Sequence, residues 1–215
     1  KFYSFYKQMA NKMLKAVLFD VGGVLIRLDE SKYYEYLSKI SGVEINKIMN
    51  TLDILEKKIY VGEISIKEFT EAVSKRLGIM KKEVKWLEFL EENVSINREV
   101  VDFALQLHKK YKVGVITNAD RARYLYVKKH FGKELGFDKF DHVFVSCYLG
   151  MAKPSKRLFE YVIKKMGIIP SETAFIDDHI ENVEGAKAIG INGILFNKPN
   201  DNVEYLKKQI EKIEK

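Results

Sequence analysis

Five short apolar runs punctuate the chain, at 15–20, 112–117, 142–146, 173–177 and 192–196. Each is continuous rather than alternating, the pattern of a strand covered on both faces. Between them, apolar positions recur at helical spacing. Val101, Ala104, Leu105 and His108 share one face of a predicted helix near 98–110, with Asn97 as its N-cap and His108 as a boundary residue rather than a ligand. A second predicted helix opens after Asp120 and runs near 121–131. A third opens after Pro154-Ser155, carries Phe159, Val162, Ile163 and Met166 as its stripe, and ends at Gly167. Strands alternating with helices predict βαβ units and a parallel sheet, an α/β, Rossmann-like core.

Residues 30–95 break this rhythm. Tyr33, Leu37 and Ile40 share one helical face, and Ile45, Ile48, Leu52 and Leu55 another. Ser65 with Glu68 forms a capping box that opens a helix through Phe69, Ala72, Val73 and Leu77, closed by Gly78. A fourth helix runs through Val84, Leu87 and Leu90, and no strand is evident. The chain therefore divides into a core, 1–29 and 96–215, and an inserted all-helical cap, 30–95. An insert directly after the first strand sits at the strand-end side of a sheet, where it works as a lid. Within 1–14, an N-terminal extension, Phe2, Phe5, Tyr6, Met9 and Met13 have helical spacing.

Composition narrows the function. The 215 residues suffice for one α/β core plus a smaller element. The formal net charge of +7 raises nucleic acid as a partner. The lysines, however, lie beside glutamates, as in Glu56-Lys57-Lys58 and Lys81-Lys82-Glu83, and read as solvated helix faces. No apolar run reaches the roughly 18 residues of a membrane span, and no signal peptide is visible. The single cysteine, Cys147, fits a reducing cytoplasm and reads as a small packed hydrophobe.

Four polar signals follow four of the strands: Asp20 in Phe19-Asp20-Val21-Gly22-Gly23, Thr117-Asn118, Lys153-Pro154 and Asp177-Asp178. Ligands of open α/β sheets bind beyond the carboxyl ends of the strands, so these residues stand where chemistry is done. One such signal alone is commonly a turn or cap residue. Together they suit phosphoryl transfer. Carboxylates and a backbone carbonyl can hold Mg²⁺. A carboxylate can attack phosphorus, while a hydroxyl, an amide and a lysine hold the other phosphate oxygens.

With these residues the chain resembles the haloacid dehalogenase superfamily, most of whose members are phosphatases, over nearly all of its length after about residue 14. The insert resembles that family's type 1 helical cap. Asp20 matches the family's nucleophile, and Gly22 the residue whose backbone carbonyl joins Asp20 on the metal. Thr117 matches its second-motif hydroxyl, with Asn118 beside it in substrate binding. Lys153 matches its phosphate-binding lysine, and Asp178 its main metal aspartate, with Asp177 adjacent. Bacterial α-D-glucose-1-phosphate phosphatases are similar in Leu149-Gly150-Met151 with Lys153-Pro154, and in Asp177-Asp178 with Asn182, Gly185 and Ala186. The resemblance implies an HAD-like, Mg²⁺-dependent hydrolase of small phosphate monoesters, sugar phosphates among them. Its partner is a small phosphorylated metabolite.

Two positions depart from the pattern. Gly22 stands where the family keeps a general acid/base aspartate, which leaves the leaving-group oxygen without an obvious proton donor. His179 is the nearest alternative donor in sequence. Asn182 stands at a position often acidic in the family. A metal-free dehalogenase is a competing reading, opposed by Asp177-Asp178. A catalytically weak binding module is another, opposed by Asp20, Lys153 and Asp178. Tyr33, Glu63 and Ile64 are candidate cleft-facing residues of the insert.

Overall fold

The four residues of β1 (Ala16–Phe19) are buried without exception and pair in parallel on both sides, so this strand lies at the centre of the sheet. A computed structural model describes residues 13–198 and 201–215; the helical extension expected within 1–14 lies largely outside them. β4 (Lys112–Thr117), β5 (His142–Val145), β6 (Thr173–Asp177) and β7 (Asn192–Leu195) complete a parallel sheet of order β5-β4-β1-β6-β7. The chain builds leftward from β1 and then rightward, so the order reverses between β1 and β6. Open sheets bind ligands at such a switch point. All five predicted strands form, each within a residue or two of its expected limits.

The crossover helices cover both faces. α5 (Arg98–Leu107), α6 (Arg121–Leu135) and α10 (Val203–Ile213) pack with Val17, Phe19, Val113 and Val115 on one side. α8 (Lys156–Met166) and α9 (Ile180–Lys187) pack with Leu18, Ile116 and Phe175 on the other. α7 (Ser146–Leu149) is a single turn after β5. Gly167 closes α8 in the left-handed region, φ 62°, as its place after the apolar stripe requires.

β2 (Ile26–Arg27) and β3 (Ser95–Ile96) form an antiparallel pair. Between them lie α1 (Ser31–Ser41), α2 (Ile45–Tyr60), α3 (Ile66–Leu77) and α4 (Trp86–Asn93). The helices have their own apolar cluster, built on Leu37, Ile48, Leu52, Phe69, Val73 and Leu90. The capping box is present: Ser65 Oγ accepts from Glu68 N at 3.2 Å, and Glu68 Oε2 accepts from Ser65 N at 2.7 Å.

Several sequence expectations need correction. Val84 lies outside the fourth helix, because a 3₁₀ turn at Lys81–Glu83 precedes α4. Ile45, at the first turn of α2, is exposed. The β2–β3 pair is too short to give a periodic signal. Asn97 occupies the N-cap position of α5 without capping it. Its Nδ2 donates to Val24 O at 3.0 Å and its Oδ1 accepts from Arg27 Nη2 at 3.0 Å, so it ties the stem of the insert together. Among the described residues, no helix is long and apolar enough to cross a membrane.

Candidate active site

Asp20 is the first residue beyond β1, and its N–H still donates to Ile176 O of β6 at 2.9 Å. Its Oδ1 accepts from Val21 N at 2.6 Å and lies 2.7 Å from Lys153 Nζ. Oδ2 has no hydrogen-bond partner among the described residues. The turn that follows needs its two glycines for different reasons. Gly23 has φ 69°, and a Cβ there would collide with the Asp178 carboxylate. Gly22 is not in the left-handed region, and a Cβ there would meet nothing within 4 Å.

β6 delivers the other carboxylates. Asp177 is fully buried and saturated: Oδ1 accepts from His179 N and Asn182 Nδ2, both at 2.9 Å, and Oδ2 from Lys153 Nζ at 2.6 Å. Asn182, unlike an acid, can donate, so its amide joins the group that orients Asp177. Asp178 faces the glycine turn, and its Oδ1 is buried with no hydrogen-bond partner. His179 is exposed, with Nε2 3.8 Å from Asp178 Oδ2.

Lys153 is set by its backbone as well as its ammonium. Asn118 Nδ2 donates to Lys153 O at 3.0 Å, and Lys153 N donates to Asn118 Oδ1 at 2.9 Å. Both ends of that amide hold the lysine loop. α9 closes on the same loop, where a Cβ at Gly185 would collide with Pro154. Thr117 ends β4 two residues beyond the Phe19↔Val115 pair, at the sheet edge that carries Asp20. Ser146 fixes the next turn, its Oγ accepting from Ala119 N at 3.0 Å.

One buried ammonium thus pairs with two carboxylates, Asp20 and Asp177, and one oxygen from each of Asp20, Asp177 and Asp178 lies within 4.8 Å of the others. Burial pushes the Asp20 carboxyl well above its ordinary value; Lys153 pulls it down, and Asp177 and Asp178 push it up again. Burial likewise raises Asp178, against the opposing pull of His179. Burial pulls the Lys153 ammonium down, but Asp177 and Asp20 outweigh it and leave it raised. The local excess of negative charge, the orphaned Asp178 Oδ1 and an all-oxygen donor set fit a hard divalent cation. Cys147 is a free, half-buried thiol whose pKa burial pushes up, away from the reactive thiolate.

Among the insert's candidates, Tyr33 is buried in the insert's own cluster and cannot face a cleft. Glu63 and Ile64 line a groove of about 540 Å³ between insert and core, with Asp120, Arg121, Cys147 and Tyr148 across from them. Two placements had no sequence signal. Asp177 is the anchor of Lys153, and Arg123 of α6 reaches from the core into the insert; only a fold that brings distant segments together reveals either pairing.

The haloacid dehalogenase-like hydrolase family profile matches residues 14–190. A D-ribitol-5-phosphate phosphatase of Bacteroides thetaiotaomicron is 29% identical over 190 residues, 83% of this chain and 89% of the relative. A phosphorylated carbohydrates phosphatase of Thermotoga maritima is 26% identical over 195 residues, covering 84% of each chain. A haloacid dehalogenase family enzyme of B. thetaiotaomicron, solved with magnesium and inorganic phosphate, superposes with a TM-score of 0.75 at 29% identity, over 90% of this chain and 98% of that one.

Proposed function

The chain belongs to the haloacid dehalogenase-like hydrolase family, and from that premise we propose that it is a Mg²⁺-dependent phosphatase of small phosphate monoesters that works through an aspartyl phosphate on Asp20. The carrying observation is the buried junction of Asp20, Lys153, Asp177 and Asp178 at the sheet's switch point. Asp20, the Gly22 carbonyl and Asp178 would hold the cation, with Asp177 adjoining. When bound, Mg²⁺ supplies the positive charge that lets a phosphate dianion approach a carboxylate.

The chain's own residues do the rest. Asp20 Oδ2, the oxygen without a hydrogen bond, is the attacking atom. The bond from Oδ2 to phosphorus forms as the bond from phosphorus to the ester oxygen breaks. Lys153, locked by Asp177 and by the Asn118 amide, neutralises a phosphate oxygen without having to reorganise. The Thr117 hydroxyl and the backbone beside Asn118 hold another. Water then attacks phosphorus, and inorganic phosphate leaves with Asp20 regenerated. Gly22 offers no proton, so the departing oxygen takes its proton from solvent. The helical insert acts as the cap that limits substrate size. The relatives named for ribitol phosphate and phosphorylated carbohydrates support a polyol or sugar phosphate as substrate.

Phosphate release from a panel of small monoesters, with Mg²⁺ and with chelator, tests this reading. Activity should require the metal, and Asp20→Asn should lose about 10³-fold or more in kcat while still folding. Near wild-type turnover by Asp20→Asn, or halide release from 2-haloacids in place of phosphate release, would overturn it.

A further inference from the structure

We infer that Arg123 is a latch that holds the helical cap closed on the core, and thereby a positioning residue that restricts the site to small substrates. The substrate half of this inference rests on the phosphatase reading above; the latch itself does not. Arg123 stands in the first turn of α6, on the core, six residues after Thr117. Its side chain leaves the core and is buried among three of the cap's helices. Nη1 donates to Tyr60 Oη at 2.9 Å, and Nη2 to Glu56 Oε1 at 3.1 Å, both on α2. The guanidinium carbon lies 4.1 Å from the ring centroid of Trp86 on α4, and 5.9 Å from that of Phe69 on α3. On the core side, Nε is 2.9 Å from Asp120 Oδ2, close enough for an ion pair but not aligned as a hydrogen bond.

This arrangement differs from an ordinary surface ion pair. The side chains of Arg123 and Glu56 are 9% and 18% exposed, so water cannot replace either partner at little cost. A planar guanidinium that bonds at its edge and stacks on its face needs the whole cage in place. Opening the cap would pull a cation out of that cage and strand the Glu56 carboxylate. The same stretch of chain carries the phosphate site. Asp120 Oδ1 caps α6 by accepting from Ala122 N at 2.8 Å, and Ala119 is pinned to Ser146. Cap position and the Thr117–Asn118 turn are therefore joined through four residues of backbone. A cap held this way leaves substrates the groove beside Glu63 and Ile64 rather than an open cleft.

The protein provides its own reporter, because Trp86 is its single tryptophan. Arg123→Met alone would leave Glu56 unpaired, so the deciding variant is Arg123→Met with Glu56→Gln, which removes both charges of the core–cap pair and keeps the volume, while Asp120 keeps its helix-cap bonds from the Ala122 and Arg123 N–H groups. In the intact 215-residue chain with a cooperative melt, acrylamide quenching of Trp86 should rise severalfold over wild type. The ratio of kcat/KM for a small alkyl or sugar phosphate to that for a bulky aryl phosphate should fall about tenfold, mainly through a lower KM for the bulky ester. Arg123→Lys, which keeps the charge but not the planar fork, should recover part of both effects. A folded double variant whose Trp86 is as protected as in wild type overturns the latch. Greater quenching with an unchanged selectivity ratio overturns the substrate half. Greater quenching in the variant, with wild type itself hydrolysing no ester of the panel, supports the latch and overturns the phosphatase reading.

Discussion

Gly22 and Gly23 are neighbours with opposite tolerances. Gly23 is irreplaceable on two counts: its φ of 69° disfavours a side chain, and any Cβ would strike Asp178. Gly22 has ordinary backbone and open space where its Cβ would go. Of the two adjacent glycines only Gly23 takes a positive φ. Gly22→Asp should therefore fold as wild type does and place a carboxyl beside the leaving group. A positioned acid contributes about 10²–10⁴-fold. Alkyl phosphate hydrolysis by Gly22→Asp should rise at least about tenfold, with little change for p-nitrophenyl phosphate, whose leaving group needs no proton. The slope of log(kcat/KM) against leaving-group pKa is the measurement. An equally steep slope in both proteins would show that the introduced acid does not reach the departing oxygen.

At the scale of elements, the helices of the insert obey local rules, and its stem does not. The Ser65/Glu68 box and the left-handed Gly42 and Gly78 explain where α1 stops and where α3 starts and stops. The stem has only two residues a side, and Asn97 holds it by joining Val24 O to Arg27. Asn97 is buried, so truncation orphans its partners. Asn97→Ala should cost about 1–3 kcal/mol in urea unfolding, the penalty of unsatisfied buried groups. Loss of a mere N-cap costs about 1 kcal/mol, so a result at the upper end separates the two roles. Catalysis should weaken less than stability, because Asn97 touches none of the site residues.

For the molecule as a whole, the site stores electrostatic stress. Asp20 and Asp178 have raised carboxyl pKa values, chiefly through burial, so the folded protein binds protons more readily than the unfolded chain. On this account, metal-free protein gains stability as pH falls from neutral toward those raised values. Lys153 acts at the other end: its raised pKa contributes stability fully below its ordinary value and loses it as pH climbs through the folded value. Mg²⁺ and protons compete for the same oxygens. The rise in Tm on adding Mg²⁺ to chelated protein should therefore be largest near about pH 8 and shrink toward about pH 5. Thermal melts across that range check it, and Asp178→Asn should flatten the dependence. A Mg²⁺ effect that grows on acidification would contradict the assignment of these carboxylates to the cation.

The chain's own pattern determined the sheet. Five short apolar runs, separated by amphipathic stretches, allow little else; the signal is fullest in β1 and β6, buried at every residue, and weaker in the edge strands β5 and β7. It also determined which polar residues follow the strands, and hence the chemistry proposed from Asp20, Thr117, Lys153 and Asp178. The tertiary structure decided how those residues divide the work. Asp177 and Asp178 are equivalent in sequence, yet one is saturated by Lys153, His179 and Asn182 while the other keeps an orphaned oxygen. Alternation along an extended chain turns neighbours to opposite sides, and only the position of Lys153 fixes which side is which. The same holds for Asn97 and Arg123. Each reads as a routine helix-start residue, because nothing local marks a partner 73 residues away, as for Val24 O, or 67, as for Glu56. Local patterns record the energy of burying a face; long-range polar pairings depend on geometry that exists only once the sheet has closed and the insert has packed upon it.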